Sequence, residues 1–201
     1  MTDSDKANAR ARQREETRRR VYQAALEVFR KDGVAEARID DVAHAAGVSR
    51  GTFYFHFPAK DDVLVERLRE SEEVVLTALD GLTPKSPLTE VLDTVAVGLA
   101  RAWAHDAKLL PDVATVGLKI IAATVADTEA DPVRAALAPF FRAAAERGEL
   151  SRALPPEVLS DVYLSNSLAA MLAWCASGTP SLEQVLRGLN VIFLQGAGVN
   201  G

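Results

Sequence analysis

One fourteen-residue stretch, Gly47–Lys60, constrains the fold of this chain more than any other; it reads GVSRGTFYFHFPAK. It lies between two segments whose apolar residues recur at helical spacing. Gly47 suits the left-handed backbone position at which many helices end, and Ser49 is the type of residue that caps a following helix. Phe53 and Phe57 lie four residues apart, so both face one side of that helix. The stretch therefore predicts two short helices joined by a tight corner.

The second of these helices presents polar and aromatic residues outward. Pro58 ends it, because proline disfavours helical geometry at the residue before it. A short helix that is fixed at both ends and carries such residues suits insertion into the major groove of DNA. The residues left on its exposed or edge surfaces are Ser49, Arg50, Gly51, Thr52, Tyr54, Phe55 and His56.

A wider set of residues around the corner occurs at fixed spacing: Ala43, Ala46-Gly47-Val48-Ser49, Gly51-Thr52, Tyr54, His56-Phe57, Lys60 and Leu64. This set resembles the signature of the TetR family of bacterial transcriptional regulators. Several simultaneous matches are more specific than a lone short motif. The alternative is an ordinary helical hairpin with exposed aromatic residues.

The resemblance implies an all-α fold in two parts. Residues 1–60 would form a three-helix helix-turn-helix DNA-binding domain, with residues 1–9 disordered, and residues 61–201 a helical domain for effector binding and dimerisation. The implied function is a repressor that binds a palindromic operator as a homodimer and is released by a small hydrophobic or aromatic effector. Two alternatives stay open: a ligand-independent dimeric DNA-binding protein and an enzyme on a helical scaffold.

Arg50 is the best candidate for a base contact, since arginine pairs bidentately with guanine. Gly51 lets the backbone approach the duplex. By analogy with the family, Thr52 and Phe55 are expected to meet thymine methyl groups. We expect phosphate contacts, which position the helix without reading sequence, from Tyr54, His56 and Lys60.

The chain departs from the family at two helix starts. Ala37-Arg38 precedes the second helix, where the family usually has Ser or Thr, and Ala59 stands where a capping Ser is usual. A lost cap costs roughly 1 kcal/mol. Arg38 is nevertheless expected to reach a phosphate.

The charge of −5 is unevenly distributed. Residues 1–70 hold 14 Lys and Arg against 13 Asp and Glu, whereas the remainder holds 9 against 15. Attraction to phosphate depends on local positive charge rather than on the total. A local cluster is formed by Arg10, Arg12, Arg14, Arg18, Arg19 and Arg20.

All regular structure in the chain is expected to be helical, and no alternating strand pattern persists beyond the turn-rich residues 83–87. The predicted helices run from about residue 10 to 32 and over 39–46, 49–57, 60–79, 88–105, 109–126, 132–147, 156–177 and 181–195. The helix over 156–177 is apolar nearly all round and must be covered on more than one side.

Two sets of residues in the second part are candidates for function. An effector pocket, implied by the resemblance, would be lined by Trp103, Leu110, Val113, Ile120, Phe140, Phe141, Tyr163, Asn166, Met171 and Trp174. Tyr163 and Asn166 would be its polar anchors. The last two helices carry more apolar surface than one chain is expected to hide, and the predicted dimer interface is Leu168, Leu172, Leu182, Val185, Leu186, Leu189 and Phe193.

The composition argues against other classes of protein. A single cysteine, Cys175, excludes a disulfide framework and a cysteine-rich zinc site. No apolar signal segment is present, and the most apolar stretch, Leu168–Ala176, is too short to span a bilayer. The three histidines have no metal-binding spacing, and no catalytic or phosphate-binding motif occurs. We therefore predict a cytoplasmic protein with no catalytic residues, metal or cofactor and no membrane partner.

Overall fold

The computed structural model describes residues 3–124, 131–150 and 154–197. Within these ranges all regular structure is helical, as predicted. The chain divides into two compact units, one ending at Glu66 and the other beginning at Arg67, whereas the boundary was predicted at residue 60. Helix α4 crosses this division and contributes to both units.

Unit 1 contains α1 (Asp3–Asp32), α2 (Ile39–Ala46), α3 (Arg50–His56) and the first turns of α4 (Lys60–Leu79). The bounds of α2 and α4 match the prediction, and α3 is one residue shorter at each end than the predicted 49–57. Helix α1 begins at Asp3, earlier than the predicted residue 10, and so includes residues 3–9, which were expected to be disordered. Residues 9–16 consist of Ala, Arg, Gln and Glu, which have high helix propensity. A helix that is established there extends towards its N-terminus at little cost.

The core of unit 1 fixes the position of α3. Phe53 and Phe57 are fully buried, and their ring centroids lie 6.1 Å apart. Tyr22 of α1 stacks on Phe57 at 6.2 Å. Val42 of α2 is also fully buried. Each fully buried aliphatic or aromatic side chain contributes about 1.5–3 kcal/mol, so α3 is held by its apolar side and leaves its other side exposed.

Unit 2 contains the rest of α4 and five further α-helices among the described residues. They are α5 (Leu88–Trp103), α6 (Leu110–Thr124), α7 (Pro132–Glu146), α8 (Pro156–Ser177) and α9 (Leu182–Ala197). A short 3-10 helix, Ala107–Leu109, precedes α6 and was not predicted. Residues 125 and 126 of the predicted sixth helix lie outside the described residues.

The core of unit 2 surrounds Tyr163 and Phe141. Both side chains are buried, with ring centroids 6.1 Å apart, and Phe193 of α9 packs against each of them. The hydroxyl of Tyr163 lies 3.1 Å from Asn190 Oδ1 and 3.3 Å from the carbonyl of Leu92. Burial raises the pKa of Tyr163 above its ordinary value, so this hydroxyl stays protonated inside the core.

A second buried polar group lies near the start of unit 2. Arg67 Nε donates to Asp106 Oδ2 at 2.8 Å, and both side chains are less than a tenth exposed. The guanidinium also donates to the carbonyl of Ala102 and lies 4.4 Å over the ring of Trp103. These contacts tie the middle of α4 to the end of α5.

Helix α8 is long and apolar enough to cross a membrane by length and composition alone, with a mean hydropathy of 1.2 over its most apolar window. Its inward face packs in unit 2 through buried residues that include Leu159, Tyr163 and Met171. Only 28% of that window is buried within the chain. The helix therefore leaves an apolar outer surface.

Candidate nucleic-acid interface and ligand cavity

The corner between α2 and α3 has the predicted backbone geometry. Gly47 adopts a left-handed conformation with φ of 63°, and its N–H donates to the carbonyls at the end of α2. Ser49 caps α3 by accepting a bond from the N–H of Thr52 at 3.1 Å. The helix ends before Phe57, which is extended. Each of these local predictions is confirmed.

The two helix starts without a family-type cap differ from each other. Arg38 precedes α2 without a capping hydrogen bond from its side chain. At α4, Asp62 Oδ2 accepts from the N–H of Ala59 at 2.7 Å. Asp62 therefore supplies a reciprocal bond three residues into the helix, which the sequence reasoning had treated only as an interaction with the helix dipole.

All nine residues predicted to bind DNA belong to unit 1 and reach its surface. Phe55 is 62% exposed, which leaves its ring largely free of the core. The set divides into six exposed residues, Arg38, Ser49, Arg50, Gly51, Tyr54 and Phe55, and three half-buried ones, Thr52, His56 and Lys60.

Arg50 extends from the start of α3 with few constraints. Its guanidinium lies 5.6 Å over the ring of Tyr54 and 3.6 Å from Asp40 of α2. Arg38 approaches the same carboxylate at 3.9 Å. Exposed pairs of this length contribute little to stability, so Arg50 is held only weakly by Asp40 and is available to another acceptor.

Two arginines of α1 lie beside the aromatic residues of α3 and have different roles. The guanidinium of Arg14 lies 4.9 Å over the exposed ring of Phe55. Arg18 lies over Phe57 at 4.8 Å and forms two 2.9 Å bonds with Glu66. Arg18 therefore stabilises unit 1, whereas Arg14 adds positive charge next to the outer face of α3. Arg14 was recognised in the sequence only as part of a charge cluster.

His56 and Lys60 are less suited to bind phosphate than the sequence suggested. Burial, and then the charges of Arg14 and Arg18, lower the pKa of His56 below its ordinary value, so it is neutral at pH 7. Lys60 Nζ donates to the carbonyls of Val34 and Ala35 at 2.9 and 3.0 Å. Two of its three N–H groups are used inside unit 1.

Unit 2 contains an apolar cavity of about 190 Å³. It is lined by helices α4, α5, α6 and α8 together with the start of α7. Five of the ten predicted pocket residues line it, namely Trp103, Leu110, Val113, Ile120 and Met171.

The other five predicted pocket residues lie elsewhere. Phe140, Phe141 and Tyr163 pack into the core of unit 2. Asn166 is exposed to solvent. Trp174 is half-buried, and its Nε1 donates to the carbonyl of Pro180 at 2.9 Å. The apolar spacing of α7 and α8 does not distinguish a cavity wall from a core, so the sequence alone did not separate Phe140, Phe141 and Tyr163 from the residues that line the cavity.

The polar groups of the cavity differ from those predicted. Ser71 and Ser167 donate their hydroxyl protons within their own helices, to Leu68 and Tyr163 respectively. Asp131 caps α7 by accepting from the N–H of Arg134 at 2.9 Å. Glu72 has no hydrogen bond or ion pair among the described residues. Burial, and then the nearby charge of Asp131, raise the pKa of Glu72 to about 7.

The position of Glu72 within the apolar residues of α4 could have identified it from the sequence. It lies four residues after Leu68 and three before Val75, so it occupies the apolar stripe of α4. A carboxylate in such a stripe must be neutralised, paired or placed beside open space. The remaining lining residues that were not predicted for the pocket are Leu68, Val75, Leu99, Ala114, Gly117, Val133, Leu164 and Leu168, the last of which was assigned to the dimer interface.

The seven residues predicted for the dimer face differ in their exposure within the chain. Leu182, Leu186 and Phe193 are buried inside the chain. Leu168 lines the cavity, while Leu172, Val185 and Leu189 are half-buried. Helix α9 is apolar on two sides, and its spacing does not tell which side packs internally. The large apolar residues exposed on α8 and α9 are Val158, Val162, Val191 and Ile192.

Comparison with known proteins identifies similarity that is strongest in unit 1. Residues 21–66 match the family model described as bacterial regulatory proteins, tetR family. The transcriptional regulator SrpR of Pseudomonas putida is 50% identical over 58 residues, which are 29% of this chain and 27% of that protein. The first relatives of this kind are thus matched over less than half of their length.

A longer match is found with the transcriptional repressor KstR of Mycolicibacterium smegmatis. It is 33% identical over 166 residues, covering 77% of this chain and 76% of that protein. Among solved structures, the repressor FadR of Thermus thermophilus, in complex with lauroyl-CoA, aligns with a TM-score of 0.64 at 28% identity. That alignment covers 92% of this chain and 96% of FadR.

Proposed function

The chain belongs to the TetR family of bacterial regulatory proteins, and from this premise we propose that it represses transcription by binding a palindromic operator as a homodimer. It is a DNA-binding transcriptional regulator rather than an enzyme. A small, largely apolar effector in the unit 2 cavity releases the operator. The protein acts in the cytoplasm, where the operator lies.

The observation that carries the proposal is the outer face of α3. Its apolar side is fixed in the core by Phe53 and Phe57, so the opposite side is presented as a rigid surface. That surface combines Arg50, which reaches guanine edges, with Tyr54 and the exposed ring of Phe55. The arginine-rich α1 supplies positive charge for phosphates.

Within this surface the residues have separate roles. Arg50 reads bases, Gly51 allows close approach, and Thr52 and Phe55 contact thymine methyl groups. Tyr54, Ser49 and Arg38 contact phosphates. His56 acts as a neutral hydrogen-bond donor, and Lys60 offers at most its third N–H to a phosphate because two are used internally.

Selection of bound duplexes from random DNA tests the proposal directly. We expect a palindromic sequence with two half-sites about one helical turn apart. Arg50→Ala should then lose preference for this sequence over random DNA, by roughly 5- to 150-fold for one lost base contact. The variant should fold normally, because the Arg50 side chain is 62% exposed.

Arg101→Ala is the matched control, since Arg101 is also exposed but lies on α5 in unit 2. It should leave both affinity and sequence preference unchanged. Recovery of no preferred sequence, or an Arg50→Ala protein that retains its preference, would contradict the proposal.

The homodimer is proposed to form through the outer faces of α8 and α9. Val158 and Val162 are exposed four residues apart on α8, and Val191 and Ile192 are exposed on α9. Large apolar side chains exposed on two helices that pack against each other favour an interaction site on these faces. A dimer also supplies the second reading helix that a palindromic operator requires.

The cavity supports an effector-responsive repressor over a ligand-independent DNA-binding protein. It adjoins α4, the helix that continues into unit 1. A ligand that binds two conformations differently shifts their populations, and a coupling of about 1–3 kcal/mol changes operator occupancy 5- to 150-fold. Retention of full operator affinity with the cavity filled by ligand would favour the ligand-independent alternative.

A further inference from the structure

The chemical class of the effector is inferred from the cavity lining, which is mostly apolar and has acidic but no basic side chains among the described residues. Thirteen of its seventeen lining residues are apolar or glycine, and four are polar. Among the described residues that line it, Glu72 and Asp131 are the ionisable groups, and none is Lys, Arg or His. An apolar cavity whose described lining includes two carboxylates and no basic side chain favours a ligand that carries a positive charge.

Glu72 is the polar group that remains available to a ligand. The two serine hydroxyls donate to backbone carbonyls, and Asp131 accepts a bond from the start of α7. Glu72 has no such partner among the described residues. Its pKa is raised by burial and by Asp131, and lowered only by Arg69 on its own helix. A buried carboxylate held without a counter-charge gains free energy when a cation arrives.

The cavity also limits the size of the ligand. Its volume of about 190 Å³ is slightly larger than the roughly 150 Å³ of an engineered protein cavity that binds benzene. It is smaller than the roughly 300–1,000 Å³ of a pocket for a drug-sized molecule. The space therefore suits one aromatic ring with a short substituent, and the ring of Trp103 forms part of its wall.

We propose that the effector is a small lipophilic amine, whose cation pairs with Glu72 while its apolar part packs against Trp103, Met171 and their neighbours. This inference rests on the proposed effector-responsive function. An anionic ligand of equal size is disfavoured, because it would bring a third negative group into the same apolar space.

Calorimetric titration of the 201-residue chain with three isosteric probes tests the assignment. The probes are 2-phenylethylamine, which is cationic, 2-phenylethanol, which is neutral, and phenylacetate, which is anionic. Near pH 8 we expect the amine to bind at least about tenfold more tightly than either of the others, a difference of about 1.4 kcal/mol. Glu72→Gln should bring the amine and the alcohol to similar affinity.

The pH dependence gives a second readout. Glu72, with its pKa of about 7, is mostly protonated at pH 6 and mostly ionised at pH 8. Amine affinity should therefore rise about tenfold over this interval, while affinity for the alcohol should not change. Glu73→Gln is the matched control, because Glu73 is the next residue on α4 but is exposed and does not line the cavity.

Two results would overturn the amine assignment: failure of the amine to bind the wild-type protein, or an amine preference that survives Glu72→Gln. Operator release, followed by fluorescence anisotropy of labelled operator, separates this failure from failure of the proposed function. Release by the alcohol alone would retain an effector-responsive repressor and reject only the amine. A protein that recognises no operator would reject the proposed function itself.

Discussion

Removal of the Asp106 carboxylate is expected to destabilise unit 2 by about 3–5 kcal/mol. Asp106→Ala leaves the guanidinium of Arg67 buried without its anionic partner, at a position where both side chains are less than a tenth exposed. The desolvation cost of the arginine is already incurred in the folded protein, and the 2.8 Å bond that offsets it is lost. Since domains unfold with about 5–15 kcal/mol, the variant should lose a large fraction of its stability.

Replacing both partners should cost much less than replacing one. Arg67→Met with Asp106→Leu removes two buried charges and leaves apolar groups of similar volume, which is often neutral or stabilising. The double variant does lose the stacking of Arg67 on Trp103 at 4.4 Å, a contact worth about 2 kcal/mol when desolvated. We therefore expect the double variant to lie within about 2 kcal/mol of the wild-type protein.

Urea unfolding of the four members of this double-mutant cycle, followed by tryptophan fluorescence, measures these differences. Glu157→Ala is the control, because its 3.0 Å pair with Arg142 is about half exposed and should contribute less than about 1 kcal/mol. A loss below about 1 kcal/mol in Asp106→Ala would refute the reasoning. So would a double variant as unstable as the sum of the single changes.

Three further predictions concern other parts of the chain. Lys60→Met should lower the free energy of unfolding of unit 1 by about 1–3 kcal/mol, because two carbonyls lose their hydrogen-bond donor. Urea unfolding measures this loss. An unchanged midpoint would contradict a stabilising role and leave phosphate binding as the role of Lys60. Ile192→Asp should yield a monomer by light scattering, since Ile192 is 69% exposed on the proposed interface, while Leu118→Asp on α6 should remain dimeric. Glu72→Gln should be more stable than the wild-type protein at pH 8 but not at pH 4. The pKa of Glu72 in the folded protein is about 7, above its ordinary 4.5. The wild-type protein therefore loses stability as the pH rises from about 4.5 to about 7. Partial exposure limits this gain to roughly 1–2 kcal/mol, and equal thermal midpoints at pH 8 would contradict it.

The corner around α3 was predictable because its signals are local. Gly47, Ser49 and Pro58 each act on the backbone within a few residues, and the spacing of Phe53 and Phe57 defines the buried side. The same local reading did not reveal that Lys60 binds two carbonyls about 25 residues earlier in the chain. Contacts between residues distant in sequence need the assembled structure.

Unit 2 was predictable in its helices and less so in its surfaces. Helices α8 and α9 carry apolar residues on more than one side, so periodicity does not decide which stripe packs internally. Phe193 and Leu186 are buried and Ile192 is exposed to solvent, although all three are apolar residues of α9. Similarly, Tyr163 and Trp103 are both large aromatic residues on such helices, but Tyr163 packs in the core and Trp103 borders the cavity.

Two glycines control how closely the walls of the cavity approach α4. A methyl group at Gly98 of α5 would meet Val75 at 3.3 Å, and one at Gly117 of α6 would meet Leu68 at 3.4 Å. Both α4 residues line the cavity. A single alanine at either position would thus change the width of the binding space while every apolar contact residue is retained. Substitutions at these two glycines would therefore change the size of effector that the cavity accepts without changing the charge that it prefers, both in natural variants and in designed biosensors.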